Sequence, residues 1–230
     1  MDSRGLKRVS IFAGHYGSGK TNIAVNYALS IAEKGEKVSI ADLDIVNPYF
    51  RTKDSAQVLE KNGIRLISSE YANTNVDTPA LPSEIYSVFE DKSGYGVIDV
   101  GGDDRGALAL GRYVPMLVQE NNYEMFFVIN KYRYLSSTPE ETVEIMQEIE
   151  QAAGLKFTAI INNSNLGEET TAETVLNSVP YAEKVAEITG LEIKLTTVKE
   201  NLYDELLPDI KNLMPLSLYV RQSWLRTEEN

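Results

Sequence analysis

A short apolar run, Val9-Ser10-Ile11-Phe12-Ala13, leads straight into Gly14-His15-Tyr16-Gly17-Ser18-Gly19-Lys20-Thr21. The stretch that follows, Lys20 to Lys34, places Ile23, Tyr27 and Ile31 at helical spacing, with Gly35 as its stop. A strand, a glycine-rich turn and a helix in that order leave few folds open. Glycine lets a backbone point successive N–H groups inward around an anion. A helix that begins on such a turn offers its positive end to the same point. The string fits the spacing G-x-x-x-x-G-K-[ST], in which the lysine reaches the outer phosphates of a nucleotide and the hydroxyl takes Mg²⁺.

The rest of the chain repeats the alternation. Strands are predicted at Lys37 to Ala41, Ile64 to Ile67, Gly96 to Val100, Met125 to Asn130, Phe157 to Asn162 and Glu192 to Val198. Helices are predicted at Ser83 to Asp91, at Thr138 to Ala153 with a Thr-Pro-Glu-Glu start, and at Thr171 to Thr189 with a break at Pro180. This pattern predicts an α/β, three-layer α-β-α fold with a mainly parallel sheet of about seven strands, joined by right-handed crossovers. At 230 residues it reads as one domain, residues 1–230, with 200–230 as a helical extension packed on it.

Composition removes several classes of function. Lys and Arg number 22 against 34 Asp and Glu, a net charge of −12. A chain that holds nucleic acid by its phosphates needs a basic face, so no nucleic-acid partner is expected. There is no cysteine, hence no disulfide, no thiolate metal site and no cysteine nucleophile. No run approaches the ~20 apolar residues of a spanning helix, and Met1 to Arg8 is polar. A cytoplasmic protein is the expectation.

In a parallel α/β sheet, ligands bind at the carboxyl ends of the strands. Two such ends are acidic here: Asp42-Leu43-Asp44 after the second strand, and Asp99-Val100-Gly101-Gly102-Asp103 after the fourth. Mg²⁺ prefers hard oxygen ligands and keeps several waters, so one carboxylate from each end suits it. The Gly101-Gly102 pair permits the close backbone approach that sensing a terminal phosphate requires.

From Val9 to about Val198 the chain resembles the MinD/ParA/nitrogenase-iron-protein group of P-loop ATPases, the CobQ/CobB/MinD/ParA nucleotide-binding family. Its phosphate loop is similar to the deviant G-K-G-G-x-G-K-[ST] form. Asp42-Leu43-Asp44 resembles the D-x-D of the first switch, and Asp99-Val100-Gly101-Gly102-Asp103 the D-x-x-G-D of the second. Asn163-Ser164 is similar to an N-S pair that contacts adenine. The resemblance implies ATP and Mg²⁺ as ligands, bound by Gly14, His15, Tyr16, Gly17, Ser18, Gly19, Lys20, Thr21 and Asn22, with Gly102 on the γ-phosphate and Asn163 on adenine. It implies metal support from Thr21, Asp42 and Asp99. Lys20 would hold the β- and γ-phosphates, Asp44 would position the attacking water, and Asp103 would couple phosphate sensing to motion.

Two departures shape the expected role. The signature lysine, which reaches across a nucleotide-dependent homodimer in relatives, falls on His15. Either a protonated His15 contacts phosphate, or Arg51 or Arg105 takes over, or His15 only hydrogen-bonds the loop backbone. The dimer is open to the same extent. Without cysteine, any part in metalloenzyme maturation would be that of an ATP-driven clamp or inserter. The nearest string to a guanine-reading N-K-x-D is Asn130-Lys131-Tyr132-Arg133, whose last residue has the wrong charge, so ATP is preferred over GTP.

The expected function is a nucleotide-driven ATPase switch on a protein partner. An ATP-dependent biosynthetic enzyme of the dethiobiotin synthetase or cobyrinate amide ligase type is the alternative. Tyr132, Tyr134, Tyr49 and Phe50 lie on loops at the same edge and either form a partner surface or pack beneath the loops. Segment 69–82 is a further candidate for partner or substrate contact, with an ordinary surface loop the preferred alternative. The tail, Leu216 to Asn230, reads as a docked helix rather than a membrane anchor, because Glu228 and Glu229 cancel its basic charge.

Overall fold

The computed structural model describes residues 5–44, 53–68, 83–102 and 104–219. Asp103, Tyr49, Phe50, Arg51, the 69–82 segment and the tail from 220 onward lie outside them.

Eight strands form one sheet: β1 (Val9–Ala13), β2 (Val38–Asp42), β3 (Arg65–Ile67), β4 (Tyr95–Asp99), β5 (Tyr123–Ile129), β6 (Ala159–Asn162), β7 (Glu192–Lys199) and β8 (Leu213–Leu216). Their order is β3-β2-β4-β1-β5-β6-β7-β8, and every pairing is parallel. All carboxyl ends therefore share one edge. The chain builds outward from β1 to one side through β2, β3 and β4, then to the other from β5 onward. Strand order reverses at β1, and the crevice at such a switch point is where an open α/β sheet takes a ligand.

The helices between the strands are α1 (Lys20–Ala32), α2 (Lys53–Lys61), α3 (Tyr86–Glu90), α4 (Asp104–Gly111), α5 (Val114–Glu120), α6 (Pro139–Ala153), α7 (Ala172–Leu176), α8 (Val179–Thr189) and α9 (Tyr203–Leu206). Alternate residues of the central strands face opposite ways. Ile11, Ala13, Met125, Phe127 and Ile129 join one core with Leu110, Tyr113, Met146 and Val185 from α4, α6, α8 and the α4–α5 turn. Phe12, Phe126 and Val128 join the other with Ile23, Tyr27 and Ile31 of α1 and Leu59 of α2. Burying side chains of this size contributes about 1.5–3 kcal/mol each, and two such layers hold the sheet rigid beneath the loops.

Local chemistry sets the element ends. At α6, Thr138 Oγ1 accepts from Glu141 N at 3.3 Å while Glu141 Oε2 accepts from Thr138 N at 3.1 Å. This reciprocal cap is worth about 1 kcal/mol. The helical region over Thr171 to Thr189, expected to break at Pro180, is two helices. The break falls before Pro180, at Asn177 and Ser178, and Pro180 stands in the first turn of α8, where its missing N–H costs nothing.

The sheet holds one strand more than the seven expected. The extra strand, β8, lies inside the stretch expected to be helical: residues 200–219 form a 3-10 turn, α9 and then β8. Pro215 sits within β8 opposite Val198. A proline masks a strand in a sequence reading, yet an edge strand tolerates it because its outer side has no ladder to complete.

Candidate functional site

The site begins where β1 ends. Gly14, at φ 153°, passes so close to β5 that a Cβ there would lie 2.4 Å from the Val128 carbonyl oxygen. Gly19 takes φ 91° at the start of α1, and no side chain caps that helix. Its first N–H groups are thus available to an anion. Lys20 is buried, and its Nζ donates to the His15 carbonyl at 3.0 Å, folding back along the inside of the loop.

Register brings the acidic clusters to this loop. β2 and β4 pair so that Asp42 lies beside Asp99. Thr21 Oγ1 donates to Asp99 Oδ2 at 2.6 Å, and Asp44 N donates to Asp42 Oδ1 at 2.8 Å. A Cβ on Gly101 would meet Asp44 Cγ at 3.3 Å, and one on Gly102 would meet Tyr16 Cα at 2.6 Å and Lys20 Nζ at 3.0 Å. Lys20, Thr21, Asp42, Asp44, Asp99 and Gly102 therefore lie together at one end of the sheet. Asp103 lies outside the described residues.

Asp99 carries the electrostatic strain of the site. It is 2% exposed, and its Oδ1 has no hydrogen-bond partner. Burial holds its carboxyl well above the ordinary carboxylate range, against the pull of Lys20 and the Thr21 hydroxyl. A buried carboxylate oxygen without a donor, next to a threonine hydroxyl and a second strand-end aspartate, is the donor set of a hard cation. Among the described residues no group of three or more His, Cys, Asp or Glu gathers as a metal cage.

His15 turns to the loop backbone. Its Nδ1 lies 2.9 Å from the Tyr16 carbonyl, which makes Nδ1 the protonated nitrogen of the neutral ring. Burial lowers its pKa, the Tyr16 carbonyl opposes this, and the charges of Lys20 and Arg133 lower it further. The cation is stable only below the pKa, so near pH 7 His15 is uncharged. As it is the chain's single histidine, its ring signals are unambiguous by NMR. Titration of the nucleotide-free protein is expected to give a midpoint below 6.5, the ordinary value; a midpoint above it would restore a protonated His15. Arg105 is exposed on the first turn of α4, and Arg51 lies outside the described residues.

Beside the loop lies a cavity of about 450 Å³, lined by Gly17, Gly19, Asn22, Arg133, Asn163, Thr197 and residues of the loops after β6 and β7. It stands where a base and ribose would follow phosphates held in the loop. Asn163, expected on adenine, sits at its wall. Its Nδ2 donates to the Ser18 carbonyl at 2.6 Å and its Oδ1 accepts from Thr197 Oγ1 at 2.6 Å. One N–H remains, and the side chain braces the phosphate loop against β7. Asn22 Oδ1 accepts from Tyr219 N at 3.0 Å, tying α1 to the chain beyond β8.

Asn130 is fully buried, and its Oδ1 accepts from Tyr132 N and Asn165 N. It locks the loops after β5 and β6 together. Tyr132 donates its hydroxyl to the Thr174 carbonyl at 2.7 Å, whereas Tyr134 is 92% exposed, so the two loop tyrosines divide between packing and surface. Sequence reasoning missed Arg133 as a site residue, because it weighed that position only as an absent aspartate. Its place after β5, at the same strand-end edge, was the available signal.

A parallel sheet with this loop, switch-point crevice and paired strand-end carboxylates defines a P-loop nucleotide-binding domain. The CobQ/CobB/MinD/ParA nucleotide-binding domain model matches residues 9–193, and the chain belongs to that family. No curated protein matches the chain. Among solved structures it is similar to the cell division protein FtsY of Thermotoga maritima (TM-score 0.59, 18% identity, 86% of this chain and 66% of that one). It is also similar to FtsY of Mycoplasma mycoides (0.55, 18%, 87% and 62%). A third is the signal recognition particle receptor FtsY of Elizabethkingia anophelis in complex with GDP (0.51, 18%, 87% and 59%). At such identities these likenesses establish the fold. The chain spans about six tenths of the length of these three structures. No helix among the described residues is long and apolar enough to cross a membrane.

Proposed function

We propose that this chain is a Mg²⁺-dependent nucleoside triphosphatase of the MinD/ParA type, with ATP as its nucleotide, that acts as a switch on a protein partner. The observation that carries it is the convergence of Lys20, the Thr21–Asp99 bond, Asp42 and Gly102 at the end of β1. Mg²⁺ would neutralise charge on the phosphates, and Thr21, Asp42 and Asp99 are the residues that would hold it. Lys20 and the N–H groups of the loop and α1 bind and orient the phosphate chain. Asp44, one peptide beyond Leu43 and anchored by Asp42, positions water at the outer phosphate.

Gly102 is the coupling element. A Cβ there would lie 2.6 Å from Tyr16 Cα and 3.0 Å from Lys20 Nζ, so the chain entering α4 runs close to where a phosphate on Lys20 would seat, and seating it would shift that chain. Adenine is supported by the charge of Arg133 where guanine recognition needs an acceptor, and by the use of Asn130 as a loop lock. Among the described residues the only carboxylate lining the cavity is Glu168, which is paired with Lys199 at 3.1 Å. A protein partner is supported by Tyr134 and Leu135, exposed on the loop that runs from Arg133. A clamp role in metalloenzyme maturation fits the absence of cysteine.

The test is phosphate release from ATP and from GTP with Mg²⁺, alongside molecular mass with and without nucleotide. ATP turnover that a protein partner raises is expected. Turnover of GTP alone would move the reading to a GTPase, and turnover of neither would remove it.

A further inference from the structure

The loop after β5 carries a cation that the residues assigned above leave out. Arg133 crosses the phosphate loop at Gly17: a Cβ there would lie 3.5 Å from Arg133 Nε and 3.8 Å from both its Cδ and its Cζ. Arg133 also lines the cavity beside the loop, together with Gly17, Gly19 and Asn163. Its guanidinium is thus fixed at the junction between the loop and the cavity. The Nε is buried and has no hydrogen-bond partner, and one residue along the loop the Ser18 hydroxyl, 1% exposed, has none either. Among the described residues no carboxylate pairs with Arg133.

A buried charged donor without an acceptor is costly in a folded chain. Packed on a phosphate loop, it is completed by a phosphate oxygen, the acceptor that a guanidinium fork matches best. Apart from Lys20, which approaches from inside the loop, the other nearby candidates do not serve: His15 has its Nδ1 at the Tyr16 carbonyl and Arg105 is exposed on α4.

We propose that Arg133 binds the phosphate chain of the nucleotide from outside the loop, in cis, as the second cation of the site opposite Lys20. This rests on the nucleotide-binding reading above. It gives one chain both cations, so phosphate binding would need no lysine from a second copy.

The experiment compares wild type, Arg133→Ala, Arg133→Gln, Arg133→Lys and Lys20→Ala for equilibrium affinity to Mg²⁺-ATP, Mg²⁺-ADP and Mg²⁺-tripolyphosphate, with thermal midpoints to confirm folding. Arg133→Ala and Arg133→Gln are expected to weaken all three ligands about tenfold, the scale of one lost charge-assisted hydrogen bond. Arg133→Lys is expected to recover part of that loss. Unchanged affinities in Arg133→Ala, with Lys20→Ala defective, would overturn the proposal and leave nucleotide binding intact. A loss for ATP and ADP but not for tripolyphosphate would place Arg133 on base or ribose and also overturn it. Wild type that binds none of the three would remove the underlying reading itself.

Discussion

Lys20→Ala is expected to weaken Mg²⁺-ATP binding at least about a hundredfold, because a buried ammonium that meets two phosphates makes two hydrogen bonds to charged groups, each worth about 1.5–3 kcal/mol. Lys20 is 7% exposed, and its amine is already turned into the loop toward His15, so little reorganisation precedes binding. The substitution also removes a positive charge that opposes the protonation of the buried Asp99 carboxyl. Asp99 then takes up a proton more readily, which weakens Mg²⁺ support as well. Calorimetric titration checks this, with the thermal midpoint as the control for folding. Affinity within about threefold of wild type would place the nucleotide elsewhere.

Gly102→Ala is expected to spare the fold and damage the response to triphosphate. The new Cβ would lie 2.6 Å from Tyr16 Cα, 2.7 Å from Tyr16 N and 3.0 Å from Lys20 Nζ. Two of those atoms are backbone, so the loop itself must shift, at an overpacking cost of about 1–3 kcal/mol. The strain falls where the outer phosphate seats, so phosphate release is expected to drop about tenfold or more, while ADP affinity changes less. Parallel measurement of turnover and ADP affinity separates the two. Equal losses in both, or none, would deny Gly102 its sensing position.

The parts of this site that were legible in the sequence share a physical cause: they are local. Gly14 to Thr21 form one continuous turn, and Asp42 and Asp99 each end a strongly apolar strand, so the parallel rule alone put them at one edge. The exact pairing of Asp42 with Asp99 needed the strand order. Arg133 and Asn163 act through tertiary contacts with Gly17 and Ser18 that span more than a hundred positions, and no local pattern encodes those. β8 was hidden for a different reason. Four residues containing a proline carry too weak a period to read, and the strand forms because β7 offers an open edge. The short helices α4 and α5 were not legible in the sequence; α4 packs on α6, and Ala107, Leu110 and Leu117 join the shared core.

The most direct test of the account is an equilibrium titration of the wild-type chain with ATP and with GTP, each with and without Mg²⁺. Saturable binding of ATP that Mg²⁺ strengthens and that exceeds the binding of GTP is expected. Failure to bind either nucleotide, or binding of ATP that is indifferent to Mg²⁺, would contradict it.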